Sequence, residues 1–423
     1  MSILLLLAAC GGDDDGGGGG GDAAPDSDAA PEADAAGDSV TVRLTIGDGE
    51  TPAGVTVFSS DPDGEVVAES ETDEDGEATI AVVPGGSVTF VHRDDTFSSV
   101  DIFTMRGVEP GDVIQWGTGN EVAGVQVDVE VPTNGGDTTG YKVVHPCGSS
   151  SSPTNMLLVS HHPWCQRDPY TLLAISDDDE SIFTGFQFVD DVDLETDPVE
   201  LDGVWQAVGT YGVTVTDIPD TIDTVQLAER AFRHGTWADI IRSGPVDQVD
   251  EAFTMQHLPD FGTKHELAVD LVSADASQSL REMGIALTGA DVDVHAYDFL
   301  PALAGDITYD AGTRTFAFPD PAQSWDITDL NAYYVVDGDN VNWFIHGPGS
   351  EAEEVLPQLP ADLGGLDPTG EITAYLTLSE TTLDIDWDDI RVQPERVRSN
   401  LWLYPDNDAS TFRSTYVSDV IPE

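Results

Sequence analysis

Lysine is almost missing from this chain. Only Lys142 and Lys264 occur in 423 residues, and 15 basic residues face 80 acidic ones, for a formal net charge of −65. Neutralising phosphates needs clustered Lys and Arg, so nucleic acid is excluded as a partner. The same deficit argues against adsorption to anionic lipid headgroups. Also absent are the G-x-S-x-G nucleophile elbow, H-E-x-x-H and the Walker A loop, and G-x-G-x-x-G is matched only by the all-glycine run Gly16–Gly21, which follows no predicted strand; this removes the motif-borne routes to acyl transfer, zinc proteolysis and nucleotide binding. With nine His and 80 acidic residues, chance groupings of Ser, His and Asp carry no information. His265-Glu266 and His295-x-x-Asp298 read as surface or satisfied polar residues. Paired carboxylates such as Asp190-Asp191 and Asp388-Asp389 mimic a glycosidase pair only by composition. No catalytic residue, metal site or cofactor is expected.

Cysteine is scarce too, with three in the chain. Cys10 follows Leu7-Ala8-Ala9 at the end of an apolar run from Ile3, and a Gly/Asp tract comes next. That run is too short to span a bilayer, which takes about 20 residues. The plain alternative is a buried N-terminal strand, but a tract without core-forming residues follows at once. The order resembles a bacterial lipoprotein signal peptide with its lipobox. The resemblance implies removal of residues 1–9, lipidation of Cys10 and attachment to a membrane through the lipid. Met1-Ser2 departs from the pattern by supplying no basic residue. Gly11-Gly12 lacks the Asp that often retains such proteins in an inner membrane, so the expected location is the outer membrane or cell surface.

Two cysteines then remain, Cys147 and Cys165. In an exported protein an even remainder is expected to pair. The disulfide would close a loop around Ser149–Ser152 and contribute ~3 kcal/mol in the chain-entropy model. The alternative is a Zn site drawn from His145, Cys147, His161 or His162, and Cys165. It lacks C-x₂-C and H-x₃₋₅-H spacing.

Residues 11–38 contain no aromatic, no Leu, Ile or Val, and no basic residue. They cannot bury enough apolar surface to offset the entropy of ordering, so residues 10–38 are expected to form a disordered tether of roughly 30 Å root-mean-square span. The Asp13–Asp15 cluster reads as solvated charge. Dense acid with scarce Lys resembles proteins of salt-adapted organisms, the alternative being an exterior that picks up Ca²⁺ loosely.

From residue 39 short β-rich runs alternate with turn residues: Val40–Ile46, Gly54–Ser59, Glu65–Ser70, Glu77–Val83 and Ser87–His92. Val40, Val42, Leu44 and Ile46 alternate with polar neighbours, the period of a half-buried strand. Asp61-Pro62-Asp63-Gly64 and Asp73-Glu74-Asp75-Gly76 read as hairpin turns, since neither fits the calcium-binding loop pattern. Ala53–Val57 together with Thr72–Gly85 resembles a carboxypeptidase regulatory-like domain. The resemblance covers about 45 residues and implies a non-catalytic, transthyretin-like β-sandwich over 39–131 with no active-site residue to transfer. Ala78 stands where that family often has an aromatic.

The rest also reads as β. Strands are expected at Val199–Val208, Gly212–Ile218, Glu266–Val272, Gly284–Leu287, Asp291–Tyr297, Thr315–Phe318, Tyr333–Val336, Val341–His346, Ile372–Leu378 and Leu383–Ile385. Asp223–Arg242 is either an amphipathic helix or, as favoured here, two strands about His234-Gly235. Asp337–Asn340 and Tyr309–Phe316 read as hairpin turns. Length divides this part into a β-rich domain of unknown type (132–300) and a sandwich (301–423) that loosely resembles fibronectin type III. No internal repeat is evident. The expected protein is an all-β, multi-domain lipoprotein with a binding or structural role. The alternatives are an extracellular hydrolase with its site in 132–300, or a carbohydrate-binding or adhesion module. Its protein or carbohydrate ligand is unknown.

Overall fold

The computed structural model describes residues 38–45, 52–94, 98–117, 125–136, 138–145, 148–161, 171–179, 182–192, 199–233, 236–246, 250–262, 264–287, 290–303, 305–319, 323–349, 352–381, 387 and 412–422. Cys10, Cys147, Cys165, the 11–37 tract, His162, His234-Gly235, Leu383–Ile385 and Asp388-Asp389 lie outside them.

The first unit shows how the chain is built. Its strands are β1 (Ser39–Thr45), β2 (Thr56–Ser60), β3 (Val66–Glu71), β4 (Glu77–Ala81), β5 (Gly86–Asp94), β6 (Ser99–Val108) and β7 (Val113–Gly117). They form a three-stranded sheet, β4-β1-β7, and a four-stranded run, β3-β2-β5-β6. β1 pairs antiparallel with β4 and parallel with β7. Val40 and Val42 of β1, Ile80 of β4, Ile114 of β7 and Val57, Phe90 and Met105 of the other sheet meet in one core. This is sandwich 1.

The same plan recurs. Sandwich 2 comprises β8 (Val125–Glu130), β9 (Gly140–His145), β10 (Gly148–Ser152), β11 (Met156–His161), β12 (Leu172–Asp177), β13 (Phe183–Val189) and β14 (Val199–Glu200). Its sheets are β11-β8-β14 and β10-β9-β12-β13, again with the first and seventh strands parallel. Sandwich 3 comprises β15 (Gly209–Thr216), β16 (Ile222–Arg233), β17 (Thr236–Pro245), β18 (Glu251–His257), β19 (Lys264–Ser273), β20 (Gln278–Ala286) and β21 (Val292–His295). Its sheets are β18-β15-β21 and β17-β16-β19-β20, with β15 and β21 parallel. Sandwich 4 comprises β22 (Thr308–Asp310), β23 (Thr315–Ala317), β24 (Ile327–Val336), β25 (Asp339–Pro348), β26 (Glu353–Val355), β27 (Ile372–Thr381) and β28 (Phe412–Ile421). There β22 pairs antiparallel with β23, in the place that the parallel seventh strand fills elsewhere.

The all-β expectation is therefore met, by seven-stranded units repeated four times. Their division differs from the one expected. β8 lies before the 131/132 boundary yet opens sandwich 2, and the 132–300 region holds the rest of sandwich 2 and all of sandwich 3. Ser149–Ser152, inside the ring that a Cys147–Cys165 disulfide would close, pairs with β9 as strand β10. Of Val199–Val208 only Val199–Glu200 is a strand. Asp223–Arg242 does form two strands, β16 and β17.

The sandwiches are joined edge to edge. β20 pairs with β28, and β25 pairs in parallel with β6, so sandwiches 3, 4 and 1 share a 12-stranded sheet. Sheet edges expose unpaired N–H and C=O groups, and mutual pairing removes them. Sandwich 2 instead packs a sheet face. Leu173, Ile175 and Phe186 meet Ala231, Ala238 and Ile240 of sandwich 3. Strands at these joints are apolar on both faces. β12 is Leu172-Leu173-Ala174-Ile175, with Leu172 and Ala174 in its own core and Leu173 and Ile175 at the joint. On β2, Val57 points into sandwich 1 while Phe58 joins the core of sandwich 4.

Candidate functional site: committed polar groups and a neutral sheet face

The carboxylates of the turns hold the backbone. Asp61 Oδ1 accepts from the N–H groups of Asp63 (3.1 Å) and Glu65 (2.9 Å), and Asp73 Oδ1 accepts from those of Asp75 and Glu77, both at 2.9 Å. Gly64 and Gly76 follow at φ 86° and 72°, where a side chain would be strained. Asp275 does similar work at the β19–β20 turn. Hydrogen bonds from the Ser277 hydroxyl and backbone, then from Ser273, bring its carboxyl down to about 2.

The polar residues singled out in the sequence are committed in the same way. His265 Nδ1 lies 2.9 Å from Oε1 of Glu229, which is fully buried on β16. Tyr211 faces this pair. Burial first, then the charge of Glu229, pushes its phenol far up, so the hydroxyl stays protonated and supplies no nucleophile. His295 Nδ1 lies 2.7 Å from the Thr216 hydroxyl. Asp190 is held bidentately by Arg233, with Nε to Oδ1 at 2.8 Å. Among the described residues no group of three or more His, Cys, Asp or Glu is placed to hold a metal ion. No helix among them is long and apolar enough to cross a membrane.

Three of the rare cations stand at the joints. Arg106 of β6 pairs with the buried Glu354 of β26, linking sandwiches 1 and 4. Arg233 of β16 reaches Asp190 beside β13, with its guanidinium carbon 4.4 Å from the Phe188 ring centroid, linking sandwiches 3 and 2. Arg413 of β28 lies 3.6 Å from Glu282 of β20, across the seam between 4 and 3, and 3.8 Å from Glu380 of β27. Gln256 adds a neutral clasp: its amide accepts from Phe183 N at 3.0 Å and donates to Phe183 O at 2.9 Å.

Salt acts on both kinds of charge. It weakens these ion pairs, but they are partly buried and screened less. It also relieves repulsion in an excess of 65 negative charges, most of the described carboxylates being exposed. Relief should prevail. Across an NaCl series at fixed pH, the melting temperature of the chain should rise from dilute buffer to 1 M. A flat or falling trend would show that self-repulsion is not a significant term.

One sheet face differs from the rest of the exterior. On the outer side of β25-β24-β27-β28, Tyr333 and Tyr375 are 36% and 38% exposed, and Val335 and Val420 more than half. Strand register places Asn331 beside Tyr375, Thr373 beside Tyr333 and Thr377 beside Tyr416. The Tyr375 and Tyr416 rings lie 6.4 Å apart with planes 18° from parallel. Tyr333 donates to Asn340 Oδ1 at 2.7 Å. Of the tryptophans, Trp325 and Trp343 are buried in the core, so this aromatic row is built of tyrosine. Only the strand register brings these residues together, and no spacing in the sequence marks them.

No protein-family model matches the chain, and no curated protein matches it. Among solved structures it is similar to the TIE protein of Bacillus anthracis at 8% identity and a TM-score of 0.15, over 61% of this chain and half of that one. A putative adhesin from Bacteroides ovatus aligns at 9% identity and a TM-score of 0.17, over 42% of this chain and 94% of that one. The major pilin subunit of Bacillus cereus aligns at 9% identity and a TM-score of 0.15, over 61% of this chain and 99% of that one. At these scores the likeness stops short of a shared overall arrangement.

Proposed function

We propose that the chain is a lipid-anchored protein of the bacterial outer membrane or cell surface with a non-catalytic, structural or binding role. Sandwich 1, residues 39–117, is read as a carboxypeptidase regulatory-like module. The observation behind the non-catalytic reading is the commitment of polar groups. Carboxylates in turns bind backbone N–H groups, the buried Glu229–His265 pair lacks a nucleophile, and the Arg residues described above bridge sandwiches. Edge pairing makes sandwiches 3, 4 and 1 one continuous sheet, a body suited to presentation at a distance. Leu7-Ala8-Ala9-Cys10 and the acidic tract behind it support the anchor and its spacer.

Growth with a clickable fatty acid checks the anchor. The wild-type chain should carry label and partition with membranes, whereas Cys10→Ser should carry none and be released as soluble protein. Label retained in that variant would overturn the anchoring.

A further inference from the structure

We propose that the outer face of the four-stranded sheet of sandwich 4 binds a neutral glycan. The first ground is composition. Acidic residues make up 80 of 423, about one in five. On this face the outward positions of β24, β27 and β28 carry mainly Asn, Tyr, Thr, Ser and Val, those of β25 carry Asn340, Asn342, Phe344 and the buried His346, and Asp329 is the one carboxylate at these positions among the described residues. Asp329 is itself bound by His346. Charge returns at its borders, where Asp101 of β6 accepts from Asn342 at 2.9 Å and Arg281 of β20, paired with Asp270, lies beside Ser414 of β28, and on distant strands such as β3 with Glu69 and Glu71. A four-stranded face with a single carboxylate in so acidic a body is a departure from the average, not a sample of it.

The second ground is chemistry. A sugar ring offers one apolar C–H face and a rim of hydroxyls. Tyrosine offers a flat apolar ring with a hydroxyl at its tip, and Asn, Thr and Ser both donate and accept hydrogen bonds. Tyr375 and Tyr416 supply two nearly parallel rings on neighbouring strands, with Thr373, Thr377 and Ser418 in the same pair of strands. Asn331 lies opposite Tyr375 in register, and its Oδ1 is covered and has no hydrogen-bond partner.

Charge selects among occupants. The field of the surrounding carboxylates repels an anionic polymer, and also a second copy of a chain carrying −65. The charges a peptide would meet, Asp329 on the face and Arg281 at its border, are already paired with His346 and Asp270. A neutral, hydroxyl-rich chain meets neither obstacle. This assignment goes beyond the anchoring reading and stands on sandwich 4 alone, so either can fail without the other.

The test is affinity electrophoresis of the full chain in native gels containing xylan, mixed-linkage β-glucan, galactomannan, soluble starch or dextran, with alginate as the anionic control. Migration should slow in at least one neutral gel and not in alginate. The apparent affinity should fall at least tenfold in Tyr375→Ala/Tyr416→Ala and stay unchanged in Tyr297→Ala, an exposed tyrosine of the sandwich 3 region. Thr373→Glu, which adds a charge without removing a ring, should weaken binding equally if the double variant melts abnormally. Unretarded migration in every neutral gel overturns the proposal, as does equal retardation of wild type and both face variants. Sedimentation decides against it as well if the wild type is a dimer that these variants dissociate, for the face then belongs to a second copy.

Discussion

Replacing Trp343 with alanine is expected to destabilise the joined sandwiches 1 and 4 by about 4 kcal/mol, within the range for truncating a fully buried tryptophan. Trp343 is 0% exposed and lies on β25, where its register partners are Ile102 of sandwich 1 and Ala332 of sandwich 4. Its side chain fills the core that Phe58, Val100 and Ile102 share with Leu330, Leu376 and Leu378. Its Nε1 donates to Thr104 Oγ1 at 3.0 Å. Thr104 keeps a second hydroxyl partner, Thr89 at 2.9 Å, so the cost comes mainly from the cavity. For a unit of this size such a loss lowers the melting temperature by roughly 10 °C. Calorimetry of Trp343→Ala against wild type checks it. A loss below about 1 kcal/mol would mean that the seam does not depend on this side chain.

Arg413→Ala should weaken the other seam of the 12-stranded sheet. Arg413 separates two carboxylates, Glu282 across the seam and Glu380 on its own side, and its removal leaves them uncompensated. Losing one partner of a buried pair costs 3–5 kcal/mol. With the Arg413 side chain 32% exposed, a discounted loss of about 2 kcal/mol is expected. The pH dependence identifies the cause. Burial raises the Glu282 carboxyl above its ordinary value, and Arg413 opposes that rise. Without Arg413 the carboxyl rises further. A raised carboxyl favours the folded state while protonated and loses that contribution as pH climbs through the folded value. The difference between Arg413→Ala and wild type should therefore be largest near pH 7 and shrink towards pH 5. Glu282→Gln in the Arg413→Ala background should recover part of the loss at pH 7. A difference independent of pH, with no recovery, would assign the effect to lost packing.

Much of the strand content was legible because period-two alternation and turn chemistry are local. Val40, Val42 and Leu44 announce β1, and the Asp61 turn announces the β2–β3 hairpin that its Asx hydrogen bonds then close, whereas the Asp73 turn, also expected to be a hairpin, carries the chain from β3 to β4 in the opposite sheet. The two strands of Asp223–Arg242 were legible from the break at His234-Gly235. The strands of residues 140–189 were not. β12 is buried on both faces and shows a continuous apolar run, and β10 is a polar edge of Gly148–Ser152 that carries no alternation. The fourfold repeat was invisible for a related reason: the plan is kept in strand order, and any alternation of inward apolar residues satisfies it. Nothing in the spacing of Arg413 and Glu282, or of Arg106 and Glu354, signals that they meet.

The sequence by itself determined the all-β class, the charge and the partners that charge excludes, since these follow from composition and from contacts a few residues long. The tertiary structure alone decided where the sandwiches begin and end, that three of them share one sheet, and which side chains lie on its neutral face. Those outcomes depend on pairing between strands hundreds of residues apart. An unpaired edge gains hydrogen bonds from any strand of compatible register, and only the folded arrangement selects which strand that is.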